Sequence, residues 1–435
     1  MGESWHKLFA WLNIDSGEIM VERRQVAGTD YYGLYTKKPI PPKTVLFAVP
    51  KYALLNSKTL ASLYNLKDLG SLSAVQMISL HLLLHQEGGA DFFSPYISTL
   101  PRDFNYHPLT WMVKRDVGPS VQLLPPSVIR ALQNISSKFR SDLSAIRSFV
   151  HHHSELLEAR SWAPSDFAED NDLLVSNYLW AWLNVNTRCI YYQVKNSPSD
   201  PDNLTLCPIL DFANHTSHLP CMNPLSAGRT SVTNVDRGLS VLSPDTSVDA
   251  ESELYLKYGS HCNRVLFAEY GFVLDPASIP EDQRVLEVKV DDLVQDYISK
   301  KGESGLWMKE ILETENYWLD WTMHFASGSA FLSYRLITVL RLISIFPSGP
   351  LPPQSETMLR PWKEIVLGQR EQLSSEHECA WRNLLRQICS AIIERASRAL
   401  TEAAVRSHES IVVLWEEERF IASQILVLVE NGGEL

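Results

Sequence analysis

Three side chains that form hydrogen bonds stand close together in the segment Pro208–Ser217. Asp211, Asn214 and His215 follow a run of apolar residues there. A carboxylate, an amide and an imidazole can together form a polar site. The pattern Asp-x-x-Asn-His is also common in turns whose side chains bond to their own backbone. Taken alone, the segment favours such a turn.

Two further segments each contain a tyrosine followed by a glycine. Leu254–Gly259 alternates briefly between apolar and polar residues and includes Tyr258, and Ala268–Val273 includes Tyr270 and Phe272. Each Tyr-Gly pair alone is typical of a turn, and the last two aromatic residues are also typical of a hydrophobic core. The three segments in this order are more specific than any one of them.

The order of these motifs resembles that of the SET-domain methyltransferases, in the branch typified by the Rubisco large-subunit lysine methyltransferase. That family carries Asp-x-x-Asn-His, then a strand ending in Tyr-Gly or Tyr-Asp, then Ser-Asn-x-x-Leu-x-x-x-Tyr-Gly-Phe. Here the last element is Ser260–Phe272, and Leu179–Cys189 matches the family's Trp-Ala…Val-x-(Ser/Thr)-Arg block. Phe92–Pro101 matches its Pro-Tyr-x-x-x-Leu-Pro. The residues of Leu179–Cys189 are most similar to the group called SET-domain-containing protein four.

The resemblance implies S-adenosylmethionine as the cofactor and a role for individual residues. Tyr258 corresponds to the catalytic tyrosine whose hydroxyl points at the reacting methyl group and amine, either as a base or as an orienting group. Asp211, Tyr270 and Phe272 correspond to positions that line the channel for the substrate lysine. The positions implied to line the cofactor pocket are Tyr32, Gly33, Leu34, Arg188, Tyr192, Asn214 and His215.

The two ends of the cofactor are implied to meet different parts of the chain. Asn214 corresponds to the residue whose side chain holds the amino-acid end, and His215 to the residue whose backbone meets the adenine. The family begins its SET domain with Gly-x-Gly-Leu, whose backbone approaches the amino-acid end. Gly33 and the leucine after it match the second half, but Tyr31 and Tyr32 replace the Gly and Arg common there. These glycines lack the Gly-x-Gly-x-x-Gly spacing of a dinucleotide-binding turn.

The implied reaction is an SN2 transfer of a methyl group from a sulfonium to a lysine amine of a protein substrate. A non-histone protein is the expected substrate, and a histone is an alternative. A free lysine has a pKa of about 10.4, so holding the amine neutral at pH 7 costs roughly 4–5 kcal/mol. A dry aromatic channel beside the sulfonium lowers this cost by desolvation and like-charge repulsion. Two other functions stay open: methylation of a protein histidine, and a non-catalytic SET-fold module that binds peptides.

The composition is that of an ordinary globular protein of more than one domain. The chain has 435 residues, of which 45% are hydrophobic and 21% charged, so it can bury a large core. A net charge of −12 without a long basic run argues against a nucleic-acid partner and suits a basic protein substrate. No apolar run approaches the roughly 20 residues of a membrane span. We therefore expect a soluble monomer without a membrane partner, in the cytoplasm, the nucleus or both.

Neither the cysteines nor the histidine run indicates a metal site. The six cysteines contain no C-x-x-C pair, which favours reduced thiols and excludes a zinc cluster of that spacing after the SET domain. Cys262 lies inside a site motif, but packing is its expected role. His151–His153 is expected on a solvated helix, where adjacent side chains point in different directions and cannot share one ion. The prediction is therefore that no metal takes part.

Strands must position these motifs, and helices interrupt and follow the strands. The fold class implied by the resemblance is α+β: a SET-domain β-fold with small antiparallel sheets and a knot-like C-terminal threading. A helical insertion splits this fold, and an all-α C-terminal domain follows. The predicted ranges are 1–57 for the N-terminal helix and first SET part, 58–175 for the insertion, 176–285 for the second SET part with the catalytic motifs, and 286–435 for a helical substrate-docking domain.

Local patterns predict the individual elements. Helical spacing of apolar residues, short strand-like runs and proline-rich turns are the signals. They predict helices over 5–20, Ala74–Leu84 and Leu332–Ile343, one or two long helices over 376–430, and short strands within Ala27–Tyr35 and Val45–Pro50 around a proline-rich turn. A variable loop is expected over residues 225–233.

Overall fold

A computed structural model describes most of the chain. The described residues are 3–14, 19–26, 31–64, 69–88, 91–114, 116–157, 162–168, 171–226 and 237–433. Three segments predicted from the sequence lie partly outside the described residues. The parts outside are residues 15–18 of the predicted first helix, 27–30 of the first strand segment and 227–233 of the variable loop.

The chain divides into two compact units, each built from two stretches. The first unit consists of Met1–Gly118 and Asn134–Ser260, and the second of Pro119–Gln133 and His261–Leu435. The four ranges predicted from the sequence are finer than this division and stay predictions.

Short strands form the framework of the first unit. They are β1 (Val21–Gln25), β2 (Tyr32–Thr36), β3 (Val45–Pro50), β4 (Ile190–Tyr191), β5 (Leu204–Thr205), β6 (Asn214–His215), β7 (Asn223–Ser226), β8 (Arg237–Leu242) and β9 (Glu253–Leu256). One sheet has the order β1-β2-β9-β6, in which β6 runs parallel to β9 and the other pairs are antiparallel. Side chains alternate along β9, so Leu254 and Leu256 are buried while Glu253 and Tyr255 are half-buried.

The two strands predicted around the proline-rich turn both form, but they belong to different sheets. The first, β2, lies between β1 and β9, whereas β3 is the edge of a sheet with the order β3-β8-β7. The remaining strands, β4 and β5, pair in a two-stranded ribbon. The proline-rich turn therefore connects two sheets, which suits residues that lack the N–H needed for strand pairing.

The first unit also contains helices. They are α1 (Glu3–Leu12), α2 (Ser57–Tyr64), α3 (Ala74–Leu84), α4 (Ser94–Ile97), α5 (Pro108–Val113), α6 (Pro126–His152, from residue 134 onward in this unit) and α7 (Asp172–Arg188). The bounds of α3 agree with the sequence, and Ser73 and Gln76 form a capping box at its start. The first helix, predicted over 5–20, is shorter in the described residues, and residues 19–20 are not helical. It ends at Leu12, where Asn13 takes a positive φ of 55°.

One carboxylate joins the three largest helices of this unit. Asp142 on α6 accepts a hydrogen bond from the Gln76 amide of α3 at 2.8 Å and from the Trp182 indole of α7 at 2.9 Å. Both Asp142 and Trp182 are buried. This network fixes α7, and hence Arg188 at its end, relative to the helical core.

The second unit is mainly helical. Its elements are α8 (Asn263–Tyr270), β10 (Leu286–Lys289), α9 (Asp291–Ser299), α10 (Glu303–Thr314), β11 (Thr322–Ala326), β12 (Ser329–Leu332), α11 (Tyr334–Ile345), α12 (Ser355–Val366), α13 (Ser375–Ala399), α14 (Ala403–Arg406) and α15 (Glu409–Glu430). The prediction of an all-α region is corrected, because β10, β11 and β12 form an antiparallel sheet. Four or five residues per strand are too few to separate a strand from a buried helix segment by periodicity.

Large aromatic side chains fill the core of the second unit. Trp321, Trp362 and Trp381 are buried there with the apolar faces of α11, α13 and α15. The indole of Trp362 donates to the Thr338 carbonyl at 2.8 Å, so its polar atom is satisfied. Cys262 is buried at the start of α8, and all six cysteines are free thiols. Among the helices in the described ranges, none has the length and apolarity to cross a lipid bilayer.

Candidate active site

The four-stranded sheet of the first unit brings three sequence motifs together. β6 is formed by Asn214 and His215, β9 leads directly to Tyr258, and β2 carries Tyr32 and Gly33. Because β9 pairs with β2 on one side and with β6 on the other, motifs distant in sequence become neighbours. This sheet is the framework of the candidate site.

Tyr258 and His215 are in direct contact. Their rings stack with centroids 5.1 Å apart and planes at 28°. The backbone N–H of Tyr258 donates to Nδ1 of His215 at 3.1 Å, so a neutral imidazole carries its proton on Nε2. The hydroxyl of Tyr258 donates to the backbone carbonyl of Ala213 at 2.8 Å. One ring contact and two hydrogen bonds thus hold the phenol against the Asp-x-x-Asn-His motif.

The side chain of Asn214 is held from two strands. Its amide donates to Oε1 of Glu253 at 2.7 Å and to the carbonyl of Tyr32 at 3.3 Å. The other carboxylate oxygen accepts from the hydroxyls of Tyr255 at 2.9 Å and Tyr35 at 3.3 Å. Burial and the nearby carboxylate raise the pKa of Tyr255, so its hydroxyl stays protonated and donates. The orientation of the Asn214 amide is therefore set by Glu253.

Gly33 is required for this close approach. A β-carbon at this position would lie 2.4 Å from Oε1 of Glu253 and 3.1 Å from the amide nitrogen of Asn214. The first distance is shorter than any normal contact, so a side chain here would displace the carboxylate. Leu34, the next residue, is buried and pairs with Leu254 across the strands.

Asp211, which is buried, forms an ionic pair with Arg188, which is partly buried. Oδ2 of Asp211 lies 3.5 Å from Nη1 of Arg188, which also donates to the Asp211 backbone carbonyl at 2.7 Å. The hydroxyl of Tyr96 donates to the same Oδ2 at 3.1 Å. Burial raises the pKa of Asp211. This shift is only partly opposed by the charges of Arg188 and Arg23 and by the hydrogen bond from Tyr96. The preceding Ile209 has a φ of 70°, a strained conformation for a β-branched residue.

Tyr32 is covered by a guanidinium from the neighbouring strand. The Arg23 guanidinium carbon lies 3.8 Å from the ring centroid of Tyr32 and 4.8 Å from that of Phe212. Burial lowers the pKa of Arg23. The motif of similar proteins often has arginine where this chain has Tyr32, and here β1 supplies a guanidinium beside that position. The departure at Tyr32 is thus accompanied by a positive charge from Arg23.

Three further predicted site residues lie in other elements of the chain. Tyr192 follows β4, and its backbone N–H donates to the Asn203 carbonyl at 3.1 Å, which extends the β4–β5 ribbon. Tyr270 and Phe272 belong to the second unit, with ring centroids 6.2 Å apart. Between them Gly271 has a φ of 83° and caps α8, so this Tyr-Gly pair ends a helix. Their roles in a lysine channel stay predictions.

Three residues of the site were not predicted from the sequence. Glu253 had a weak signal, because it begins the strand that leads to Tyr258 and alternates with buried leucines. Tyr96 lies in the recognised Pro-Tyr-x-x-x-Leu-Pro motif, but its contact with Asp211 depends on tertiary structure. Arg23 lies in a strand that no sequence pattern indicated.

The sheets and the helical C-terminal region define the SET fold. A structure of Rubisco LSMT bound to sinefungin and monomethyllysine matches with a TM-score of 0.64 and 15% identity, covering 99% of this chain and 92% of that one. A structure of Rubisco LSMT bound to AdoMet matches with a TM-score of 0.60 and 17% identity over the same shares of both chains. The predicted SET-domain fold is therefore confirmed, and the sheet of β10, β11 and β12 is a departure from the predicted all-α C-terminal domain.

The sequence relatives include SET domain-containing proteins, lysine methyltransferases and an actin-histidine N-methyltransferase. No family profile matches the chain. It is 25% identical over 329 residues to ribosomal lysine N-methyltransferase set11 of Schizosaccharomyces pombe, covering 76% of this chain and 72% of that protein. It is 25% identical over 384 residues to SET domain-containing protein 4 of Mus musculus, covering 86% of this chain and 77% of that protein. The resemblance predicted from the motifs is confirmed.

Proposed function

We propose that this protein is an S-adenosylmethionine-dependent protein-lysine N-methyltransferase. The observation that carries the proposal is the convergence of Asn214, His215 and Tyr258 on the paired strands β6 and β9. The relative named as a lysine methyltransferase supports this activity, as do the matched structures bound to AdoMet and monomethyllysine.

The polar groups of the site fit the amino-acid end of the cofactor. Nε of Arg188 is a buried polar atom without a hydrogen-bond partner among the described residues. An unpaired buried polar atom costs free energy, which a ligand group with the matching charge recovers. Arg188 and Asn214 would hold the cofactor's carboxylate and amino end, and Gly33 keeps the adjoining backbone accessible. When bound, S-adenosylmethionine supplies a methyl group on a positively charged sulfonium.

Tyr258 is placed to orient the substrate amine. Its hydroxyl hydrogen is committed to the Ala213 carbonyl, so the oxygen lone pairs can accept an N–H from lysine. Stacking on His215 restricts the ring, and such positioning of the reacting groups is worth several kcal/mol. The role of Tyr258 is therefore orientation of a neutral amine, with the proton lost to solvent before transfer.

The ionic pair of Asp211 and Arg188 supports a neutral amine. A free carboxylate would stabilise the charged form of lysine and raise its pKa. Here the guanidinium of Arg188 lies within 3.5 Å of Oδ2 and compensates the carboxylate. Desolvation and the positive sulfonium then both favour the neutral form, which is the nucleophile.

The test is methyl transfer to a protein extract. The purified full chain is incubated with methyl-labelled S-adenosylmethionine and an extract from cells that lack the corresponding gene. A ribosomal fraction is used first, because one relative is named a ribosomal lysine methyltransferase. We expect one labelled protein or a few, and peptide mass spectrometry should place the methyl group on lysine.

The same experiment separates the alternatives. A methyl group on histidine would establish the protein-histidine activity instead. If no protein is labelled and calorimetry detects no cofactor binding, the chain is a non-catalytic SET-fold module. Titration with S-adenosylmethionine is therefore run on the same preparation.

A further inference from the structure

Two histidines and one aspartate converge on a single point in the first unit, outside the candidate active site. His81 lies on α3, His85 directly follows α3, and Asp91 follows in the next described segment. One potential ligand atom from each residue lies within 4.8 Å of the others. Residues four apart in a helix face the same side, so both imidazoles reach the same carboxylate.

The separations between these nitrogen and oxygen atoms are close to those found around a bound metal ion. Nε2 of His81 lies 3.4 Å from Oδ2 of Asp91, and Nε2 of His85 lies 3.8 Å from Oδ1. Metal–ligand bonds of roughly 2.0–2.1 Å in tetrahedral geometry place neighbouring ligand atoms about 3.3 Å apart. The ligand types therefore suit an ion of the zinc class. The two nitrogen–oxygen separations involve the two different oxygens of Asp91 and are longer than the tetrahedral value, so metal binding would draw the three side chains closer together.

The surrounding groups orient the three side chains. The hydroxyl of Tyr64 lies 2.7 Å from Nδ1 of His81, which leaves Nε2 directed at Asp91. Oδ2 of Asp91 also accepts the backbone N–H of Phe93 at 2.8 Å. Hydrogen bonds to the second ring nitrogen and to the carboxylate are the outer contacts that metal ligands usually have.

The three side chains of this cluster are largely buried, unlike those of an acidic cluster on a protein surface. The side chains of His81 and Asp91 are 0% and 4% exposed, and that of His85 is 14% exposed. The alternative arrangement without a metal is one N–H···O bond from each imidazole to one oxygen of Asp91, and the zinc experiment below distinguishes the two arrangements.

We propose that His81, His85 and Asp91 bind one divalent ion of the zinc class, with water as a fourth ligand. Three protein ligands and one water are a common coordination for such ions. Bound metal would tie the segment that begins at Asp91 to α3 and would stabilise the first unit. The sequence pattern of α3 predicted only a buried helix, because both histidines stand within or beside its apolar run.

Metal content of the full-length protein tests the site. The protein is stripped with a chelator, exposed to zinc chloride and desalted. We expect about one zinc ion retained per chain and a higher melting temperature with zinc than without it. His85→Gln and Asp91→Asn should each weaken zinc binding at least about tenfold. Cobalt chloride gives a second readout, since the visible absorption of tetrahedral cobalt should disappear in His85→Gln.

The exposed histidine run provides the matched control. His152 ends α6, and its Nδ1 contacts the Ser148 carbonyl at 2.7 Å. His152→Gln should retain zinc, as should Tyr258→Phe, so failure of the metal site is distinguishable from failure of methyl transfer. The proposal is overturned if the natural protein retains no zinc, if His85→Gln retains as much, or if His152→Gln is the variant that loses it.

Discussion

Tyr258 combines a ring contact with a hydroxyl hydrogen bond, and the two can be separated by one substitution. Tyr258→Phe removes the bond to Ala213 and keeps the stacking on His215. We expect kcat for methyl transfer to fall by roughly 10²–10³-fold, the usual cost of losing one oriented hydrogen-bonding group at a reacting centre. Cofactor affinity, measured by calorimetry, should change little, because the ring remains.

The same substitution at an exposed tyrosine is the control for loss of a hydroxyl group. Tyr191 is 61% exposed, and its hydroxyl donates to the Pro198 carbonyl at 3.2 Å. Tyr191→Phe should leave kcat unchanged. An unaltered rate in Tyr258→Phe would remove that hydroxyl from the mechanism.

Glu253 is a positioning residue for Asn214. Glu253→Gln keeps an oxygen that can accept from the Asn214 amide but replaces a charge-assisted hydrogen bond of 2.7 Å by a neutral one. We expect the cofactor to bind more weakly by about 1 kcal/mol, which corresponds to about a fivefold higher KM for S-adenosylmethionine. The value of kcat should change less than KM, because the contact lies at the cofactor's amino-acid end and not at the reacting atoms. Steady-state kinetics with varied cofactor measures both.

Glu251→Gln is the matched control for this prediction. Glu251 pairs with Arg24, and its side chain is 68% exposed. The same change of carboxylate to amide there should not alter KM. Equal effects of the two variants would contradict a specific role for Glu253.

The sequence predicts those site residues whose neighbours along the chain carry information. Asn214, His215 and Tyr258 stand in recognisable motifs, and the sheet brings them together. Glu253 and Arg23 become part of the site only through strand pairing and a cation–π contact. No local pattern encodes such contacts, because they depend on which strands become neighbours.

The close pairing of β2 and β9 depends on a missing side chain. Gly33→Ala would place a β-carbon 2.4 Å from Oε1 of Glu253, so the flexible carboxylate must move away from Asn214. We expect the strands to remain paired and the affinity for S-adenosylmethionine, measured by calorimetry, to fall about tenfold, equivalent to roughly 1.4 kcal/mol.

Gly70 offers a comparison without steric conflict. A β-carbon at Gly70 meets nothing within 4 Å. Gly70→Ala should bind the cofactor as the natural protein does. Undiminished affinity in Gly33→Ala would show that the carboxylate of Glu253 does not act on the cofactor site.

Elements with strong periodicity were predicted well, and short or polar ones were not. The apolar run of α3 determines its bounds, and the capping box at Ser73 fixes its start. In contrast, β1 has the sequence VERRQ, whose arginines hide the strand pattern. The strands β10, β11 and β12 are short and follow a region of helical character. Tertiary pairing, and not local propensity, forms such strands.

For the whole molecule, composition predicts a large core but not the charges buried in it. In the second unit, the carboxyl group of Glu417 on α15 is buried and accepts the amide N–H of Asn263 at 2.7 Å. Burial raises the pKa of Glu417 to about 8, and the bond to Asn263 opposes this only partly. The adjacent Glu418 is also buried, which raises its pKa to about 7 despite the nearby Arg395.

These raised pKa values determine how the stability of the folded state changes with pH. Folding favours the protonated, neutral form of Glu417, so the folded state binds its proton more tightly than the unfolded state does. The contribution of protonated Glu417 to the stability of the folded state is fully present below the ordinary pKa of 4.5. It is lost as the pH rises through about 8. The free energy of unfolding should therefore decrease across this window, by roughly 3–5 kcal/mol for Glu417 when complete.

Glu417→Gln isolates this contribution, because a neutral amide of similar shape can still accept the bond from Asn263. Glu418 titrates equally in both proteins and cancels in the comparison. We expect the variant and the natural protein to have similar unfolding free energies near pH 5, and the variant to be more stable above pH 8. Urea denaturation at both pH values measures the difference. Glu416→Gln, one residue earlier and 54% exposed, should show no such divergence. A variant that is less stable at high pH would mean that the carboxylate of Glu417 is stabilised in the fold by a charge partner.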